Sequence, residues 1–374
     1  MCNHSTNRRS PATTRAEVAE LHEFEHWPAR WVWPLLAGMV ALQAAAINLP
    51  AAYWTLLLVI WPALGAMMFV FVLAFHDASH GRMHPVHLIN EAFGHLAGTL
   101  GFIPLHVYRY AHARHHAQLG RAGDPELWPF NAPSASRPLR IVAALAEILL
   151  GFIYTPLLFL RAVVVGHLTP QERRLIVRGY LTCALFWIGA IAVVYLFDLW
   201  QPLLISTVVP MAISGMLQTL NKFEQHLGLH GQTVLGLTRT VVDRHRCSEL
   251  FSAAMLYNDY HGTHHRYAKI PYYHLPDVTP FALAGASEHA PVYSNIASAF
   301  FDMLFCLRDP KVGPQWIERC ERSNSSTKSS DSLAVPIAHA VVTGNHTDQP
   351  RFSTMQIESP EDSPNHIPPQ RRVG

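Results

Sequence analysis

The sequence predicts an all-α integral membrane protein: two transmembrane helical hairpins, about four spans, under a cytoplasmic helical cap that carries a histidine-rich metal site. Three observations predict it. Half of the residues are hydrophobic and only 14% are charged, a composition that suits a membrane protein better than a soluble one. Apolar runs of roughly 20 residues occur in two pairs, each run close to the length a helix needs to cross a bilayer. The chain also holds 24 histidines, eight of them in three tight clusters.

The same composition excludes several classes. A net charge of +2 gives no general attraction to nucleic acid. The five cysteines, Cys2, Cys183, Cys247, Cys306 and Cys320, are scattered with no CxxC pair, which argues against a disulfide framework, a zinc ribbon or an iron–sulfur site.

Residues 1–30 are polar, with Arg8, Arg9, Arg15 and Arg30. No apolar core precedes a small-residue cleavage site, so they read as a cytoplasmic N-terminal segment rather than a signal peptide. The first apolar run is Trp31 to Pro50 and the second Tyr53 to Phe75, both uncharged and joined by a short uncharged turn. A second hairpin follows at Tyr180 to Trp200 and Gln201 to Leu220, with only Asp198, near its turn, charged. Arginine is abundant before the first hairpin and between the two, and absent from both turns. By the positive-inside rule, both termini and the long middle section face the cytoplasm.

Two further apolar stretches, Leu88 to Leu105 and Ile141 to Val165, the latter containing Glu147, Pro156 and Arg161, complicate the count. If either crossed the membrane, histidines before and after it would face opposite sides. If the histidines act together, these stretches lie along the interface or dip and return. Past Pro314 the chain becomes rich in Ser, Pro, Asn and Thr. The expected organisation is thus 1–30 as a polar segment, 31–318 as the membrane catalytic domain and 319–374 as a disordered tail. Sequons at Asn3, Asn324 and Asn345 fall on the cytoplasmic side in this topology and read as chance matches.

The histidine clusters are "HDASH", with His76 and His80; "HARHH", with His112, His115 and His116; and "HGTHH", with His261, His264 and His265. Spacings of i, i+3 and i+4 place side chains on one helical face within reach of one ion. A lone HxxxH is more often an ordinary polar face. One HxxxH with two HxxHH clusters on one membrane face points to metal. His226, in "NKFEQHLGLHG" just past the last span, is a ninth candidate. Eight or nine imidazoles exceed one tetrahedral zinc site and suffice for two metals with four or five nitrogens each. Imidazole suits zinc, copper, iron and nickel alike. No ExxH pair supplies the clusters, as it would in soluble di-iron bundles. The carboxylates Asp77, Glu224 and Asp259 sit beside the candidates and could orient their rings.

Taken in order and separated by paired spans, HDASH, HARHH and HGTHH resemble the three histidine boxes of the membrane fatty acid desaturase and hydroxylase superfamily. The flanking "HARHHAQLGRAGDPELWPF" and "LYNDYHGTHHRYAKIPYYHLP" are similar too, and the likeness covers roughly residues 30 to 310. The resemblance implies a cytoplasm-facing di-iron centre, two iron ions that activate dioxygen to oxidise an unactivated C–H bond of a lipid. Its ligands would be His76, His80, His112, His115, His116, His261, His264 and His265, with His226 resembling an additional ligand found in many members. Some subfamily features differ. Three residues, not four, separate the histidines of the first box. Asn221 lies five residues before His226, where animal-type acyl-CoA desaturases have an asparagine four before. His261 stands where front-end desaturases usually have glutamine, and no HPGG motif is present. The pattern is nearer to bacterial or plastid acyl-lipid desaturases and approaches carotenoid ketolases.

The expected reaction is therefore desaturation of a lipid acyl chain, with hydroxylation or ketolation of an apolar lipid such as a carotenoid as the alternative. No flavin, nicotinamide or haem motif is present, so electrons are expected from a ferredoxin, rubredoxin or cytochrome partner. Arg114, Arg121, Arg244, Arg246 and Arg266 could dock an acidic donor, although positive-inside topology explains them as well. His84, His87, His95, His106, His230, His245, His274 and His289 lack the paired spacing and read as interfacial or hydrogen-bonded side chains. A metal transporter would place ionisable residues along a path through the spans, and the two hairpins have almost none.

Overall fold

A computed structural model describes residues 11–24, 32–242, 246–286 and 290–317; the expected C-terminal tail and the sequons lie outside them, and of residues 1–30 only 11–24 fall within. The fold is almost entirely helical. Helix α1 (Arg15–Glu20) opens with a capping box between Thr14 and Glu17, reciprocal bonds that satisfy otherwise unpaired backbone donors. Helix α2 (Val32–Ile47) is uncharged. A 3-10 turn at Ala51–Leu56 leads into α3 (Leu57–Ser79). Helices α4 (His87–Leu100) and α5 (Leu105–Gln118) follow, then α6 (Arg137–Val165) and α7 (Pro170–Leu196), the latter started by a Thr169–Glu172 capping box with Pro170 at its first position. A turn containing Asp198 at φ +50° leads to α8 (Trp200–Leu203), a π-turn at Leu204–Val208 and α9 (Val209–His226).

Beyond α9 the chain builds the cap. It contains α10 (Arg246–Ala254), α11 (His261–Arg266), α12 (Leu275–Ala284) and α13 (Ile296–Cys306). Strands β1 (Thr240–Val241) and β2 (Val292–Tyr293) pair in parallel, Thr240 opposite Val292 and Val241 opposite Tyr293. One core cluster joins the ends of α3 and α5 to the cap through Phe75, Tyr108, Tyr260, Tyr272 and Val278. Ala12, Val18 and Leu21 are buried in that cluster, so the polar N-terminal segment docks on the cap instead of trailing from it. A second cluster joins Leu127 and Phe130 to Ala143 and Ala144 of α6 and Phe223 of α9.

The long apolar helices are not quite those expected. The segments Ala51–Ser79, Arg137–Val165, Pro170–Leu196 and Trp200–His226 are long and apolar enough to cross a membrane. The described part of the first expected span, Val32–Ile47, has 16 residues, short of the ~20 that a full crossing takes, while the stretch from 137 to 165 reaches 29.

Length does not make α6 a span. At its start, Arg140 bonds the Pro310 carbonyl at 2.9 Å and pairs with Asp309, and this segment is tied to the residues just after His226, because Gly228 N donates to Lys311 O. At its end, Phe159 stacks on Tyr108 at 5.2 Å, Arg161 lies over Trp128 at 4.0 Å, and the Tyr110 hydroxyl donates to the His167 carbonyl at 3.2 Å. Both ends therefore lie at the level of the histidine clusters. In between, Gly151 meets Gly215 so closely that a Cβ on either would overlap the other's backbone. Gly215 lies three turns before His226, about 16 Å deeper. The helix bends there, with Leu150 out of helical geometry (φ −125°, ψ 26°) and Pro156 nearly two turns further on; proline removes an interior hydrogen bond and kinks a helix. Helix α6 leaves the level of the histidine clusters, bends within the apolar helical layer and comes back to that level. Helix α4, 14 residues long with Leu88, Leu96 and Leu100 exposed, is too short to cross and lies at the surface of that layer.

This topology is open to thiol labelling. Cysteines placed at Ser134 and Arg173, on either side of α6, should react with an impermeant maleimide from the same membrane face, and one at Gln201 only from the other. Labelling of the first two from opposite faces would make α6 a span.

Candidate metal centre

Four elements deliver the histidines. His76 is in the last turn of α3 and His80 is its C-cap; His112, His115 and His116 share one side of α5. His226 ends α9, and His261, His264 and His265 lie on the short α11. The structure brings all nine together in two groups. His76, His80, His112, His116 and His264 form one; His115, His226, His261 and His265 form the other. In each, one ring nitrogen per residue lies within 4.8 Å of all the rest. The groups adjoin, with His116 and His265 stacked at 4.2 Å.

The donor chemistry fits a metal centre. His112 Nε2 lies 3.1 Å from Nε2 of both His80 and His116. His261 Nε2 lies 2.9 Å from His226 Nε2 and 3.0 Å from His265 Nε2. Opposed nitrogens at these separations cannot all carry protons, and lone pairs facing one another gain from a shared cation. His264 Nε2 is buried with no hydrogen-bond partner. The other side of several rings is held by acceptors. Glu126 Oε1 is 2.9 Å from His112 Nδ1, Asp124 Oδ2 is 2.9 Å from His115 Nδ1, the Leu237 carbonyl is 3.1 Å from His226 Nδ1, and Asp77 Oδ1 is 3.1 Å from His76 Nδ1. An acceptor on Nδ1 favours the tautomer whose Nε2 offers its lone pair.

Burial keeps most of the rings neutral. Burial pushes His80, His112, His261, His264 and His265 well below the ordinary histidine range, and lowers His116 to about 2. Neighbouring imidazoles add to the burial, since a proton on one opposes a proton on the next. His115 goes the other way: burial would lower it, but the Asp124 and Glu126 carboxylates outweigh burial and raise it.

Of the three acids singled out in the sequence, Asp77 touches a candidate histidine. Glu224 has Oε1 buried and unpaired, and Asp259 accepts from Ser252 Oγ at 2.6 Å. Asp124, Glu126 and the Leu237 carbonyl were not singled out. Asp124 and Glu126 follow the second cluster in a polar loop, and their only sequence signal is that proximity. Among the described residues, none of the other histidines joins either group. His87 meets Glu91 at 3.4 Å, His274 meets Asp277 at 3.3 Å and His84 Nδ1 accepts from Val86 N at 2.9 Å, while His95 faces His106 with ring centroids 5.2 Å apart and His230 is pushed down by burial. His245 and His289 lie outside the described residues. Above the groups is a cavity of about 660 Å³ whose lining includes His80, His112, His116 and His265 with the cations Arg109, Arg266 and Lys269. Of the arginines proposed for donor docking, Arg266 lines it and Arg114 lies instead over Tyr110 at 3.5 Å.

The lowered ring pKa values set a pH dependence for the metal-free protein. The unfolded chain takes up protons on these histidines below about 6.5, where the folded chain resists them. Stability contributed by the neutral cluster is therefore full above that pH and is lost as pH falls through it, down to about 2 for His116, with His115 opposing the trend. The thermal midpoint of chelator-treated protein should be lower at pH 5.5 than at pH 7.5. An equal or higher midpoint at the acid pH would mean the rings are not held neutral.

The fold and site can be set beside known proteins. A match over 272 residues, 64% of this chain and 68% of the relative, gives 25% identity to an acyl-lipid omega-3 desaturase (cytochrome b5) of the endoplasmic reticulum from Arabidopsis thaliana. A probable fatty acid desaturase of Sorghum bicolor is 32% identical over 117 residues, 30% of this chain and 29% of the relative. An sn-1 acyl-lipid omega-3 desaturase (ferredoxin) of Synechocystis sp. is 30% identical over 94 residues, 25% of each chain. The family model described as fatty acid desaturase matches residues 52–297, from just before α3 into α13. That interval contains every one of the nine converging histidines, and on this match the chain belongs to the fatty acid desaturase family.

Proposed function

We propose that this membrane oxidoreductase introduces a double bond into a lipid acyl chain, using dioxygen and electrons from a separate redox protein. The convergence of nine imidazoles into a group of five and a group of four, at the ends of helices that enter an apolar layer, carries the reading. The ligands in it are His76, His80, His112, His116 and His264 for one iron and His115, His226, His261 and His265 for the other. Bound there, the two irons would supply the oxidising power that an unactivated C–H bond demands. The chain's own residues do the rest. Glu126, Asp124, Asp77 and the Leu237 carbonyl orient the rings, and the burial of the rings keeps bulk water from the reacting chain.

Overall, the acyl chain loses two hydrogens and dioxygen becomes two waters, with two electrons and two protons supplied from outside. The relatives' names include both cytochrome b5 and ferredoxin, which supports a small external donor of either kind; a rubredoxin is a third. Arginine bias supports termini and histidines on the cytoplasmic side. The domain limits follow: a catalytic domain from 31 to 318 between two polar segments.

Membranes holding the protein, given ferrous iron, a reduced donor and oxygen, should yield a lipid product lighter by two hydrogens and free of label from labelled dioxygen. A product that keeps one labelled oxygen atom would make the chain a hydroxylase or ketolase. Purified protein should hold about two irons. His112→Ala or His264→Ala should lower that content and abolish turnover while the protein stays in the membrane; full activity in either would remove the assignment of these rings.

A further inference from the structure

An acid and a base are buried together between α6 and α9, outside the histidine groups. Glu147 of α6 is fully buried, and Lys222 of α9, its ion-pair partner, is mostly so. Thr219 Oγ1 of α9 donates to the main-chain carbonyl of Glu147 at 2.9 Å. Withdrawing two charges from water costs several kcal/mol for each ion, and such pairs are often replaceable by apolar residues with no loss of stability. Helices α6 and α9 already have apolar and backbone contact, at Gly151 with Gly215 and at Ala143 and Ala144 with Phe223. Packing alone gives no reason for a lysine here, and a charge this buried calls for a specific role.

The contacts of Lys222 indicate one. Its Nζ also donates to the main-chain carbonyl of Glu126 at 3.2 Å. The carboxylate of that same residue holds His112 Nδ1 at 2.9 Å, and His112 Nε2 faces His80 and His116. Lys222 also lies one turn before His226 on the same helix. A single ammonium thus links the helix that carries a histidine of the four-membered group to the loop that orients a histidine of the five-membered group. An ammonium has three donors, enough to serve both Glu147 and the Glu126 carbonyl, which a neutral apolar side chain could not.

We propose that Lys222, held in place by Glu147, is a positioning residue for the metal centre: it fixes the loop bearing Glu126 so that His112 presents Nε2 at the correct distance from the His226 group. The inference rests on the reading of the histidines as iron ligands.

The test uses the full chain in lipid nanodiscs and reads iron affinity, by competition with a chelator, beside the thermal midpoint of the iron-free protein. Lys222→Met alone leaves Glu147 buried without a partner and can fail to fold. The decisive variants are therefore the neutral pairs Lys222→Met/Glu147→Leu and Lys222→Leu/Glu147→Met, which remove the donor, with Lys222→Arg as the conservative control. The neutral pairs should melt near the wild-type midpoint yet bind iron about 10-fold or more weakly, the usual effect of losing a group that orients a ligand. Lys222→Arg should bind within a few-fold of wild type. Wild-type iron affinity in a neutral pair would reduce Lys222 and Glu147 to a helix clamp and overturn the proposal, as would failure of both neutral pairs to fold, which would assign the pair to folding. Absence of iron binding by the wild-type chain would instead sink the metal reading on which the proposal stands.

Discussion

Nine imidazole rings from four separate elements must meet in two small volumes, and most of the architecture follows from that demand. Rings on α3, α5, α9 and α11 can meet only if the chain makes an even number of crossings between any two of them. Helix α6, apolar and long, would break that parity if it went straight through. A kink between Leu150 and Pro156, with the close Gly151–Gly215 contact, lets it enter the apolar layer and leave on the side it came from. Its two ends are then held beside α5 and the post-α9 segment by Tyr110, Arg161 and Arg140.

The rings carry an energetic burden. Buried polar atoms without partners cost roughly 1–3 kcal/mol each, and lone pairs crowded at 2.9–3.1 Å repel. The chain meets this with acceptors behind the rings, from Asp77, Asp124, Glu126 and the Leu237 carbonyl, leaving the inward nitrogens to a cation. Asp124 is itself held by the amides of Gly120 and Glu126, so the orienting acid is as fixed as the ring it orients.

The paired spacing of the clusters was legible in the sequence because an α-helix brings i, i+3 and i+4 to one face whatever surrounds it. That both ends of α6 lie beside the histidine-bearing elements was legible only as a parity argument; its length alone, 29 residues, points the other way. Asp124 and Glu126 were not legible as partners of His115 and His112, because their role depends on a loop whose path no local pattern announces. Glu224 and Asp259 lie beside candidates in sequence, but Asp259 bonds Ser252 and the Glu224 carboxylate oxygen Oε1 bonds nothing: adjacency along the chain does not set direction in space. The docking of α1 was hidden by its polar composition, since only Ala12, Val18 and Leu21 go into the core.

That docking has a consequence for biogenesis. Ala12 N donates to the Asp277 carbonyl at 3.0 Å, Arg82 Nη1 to the His22 carbonyl at 3.1 Å, and His22 forms one wall of the cavity above the histidines. The part of the chain synthesised early thus has its resting place on α12, which is synthesised near the end of the described chain. Arg82 is made early enough to meet it, but the contact with Asp277 must wait until every intervening helix is made. The wall that this segment contributes over the histidine groups is therefore completed only after α12 has been made.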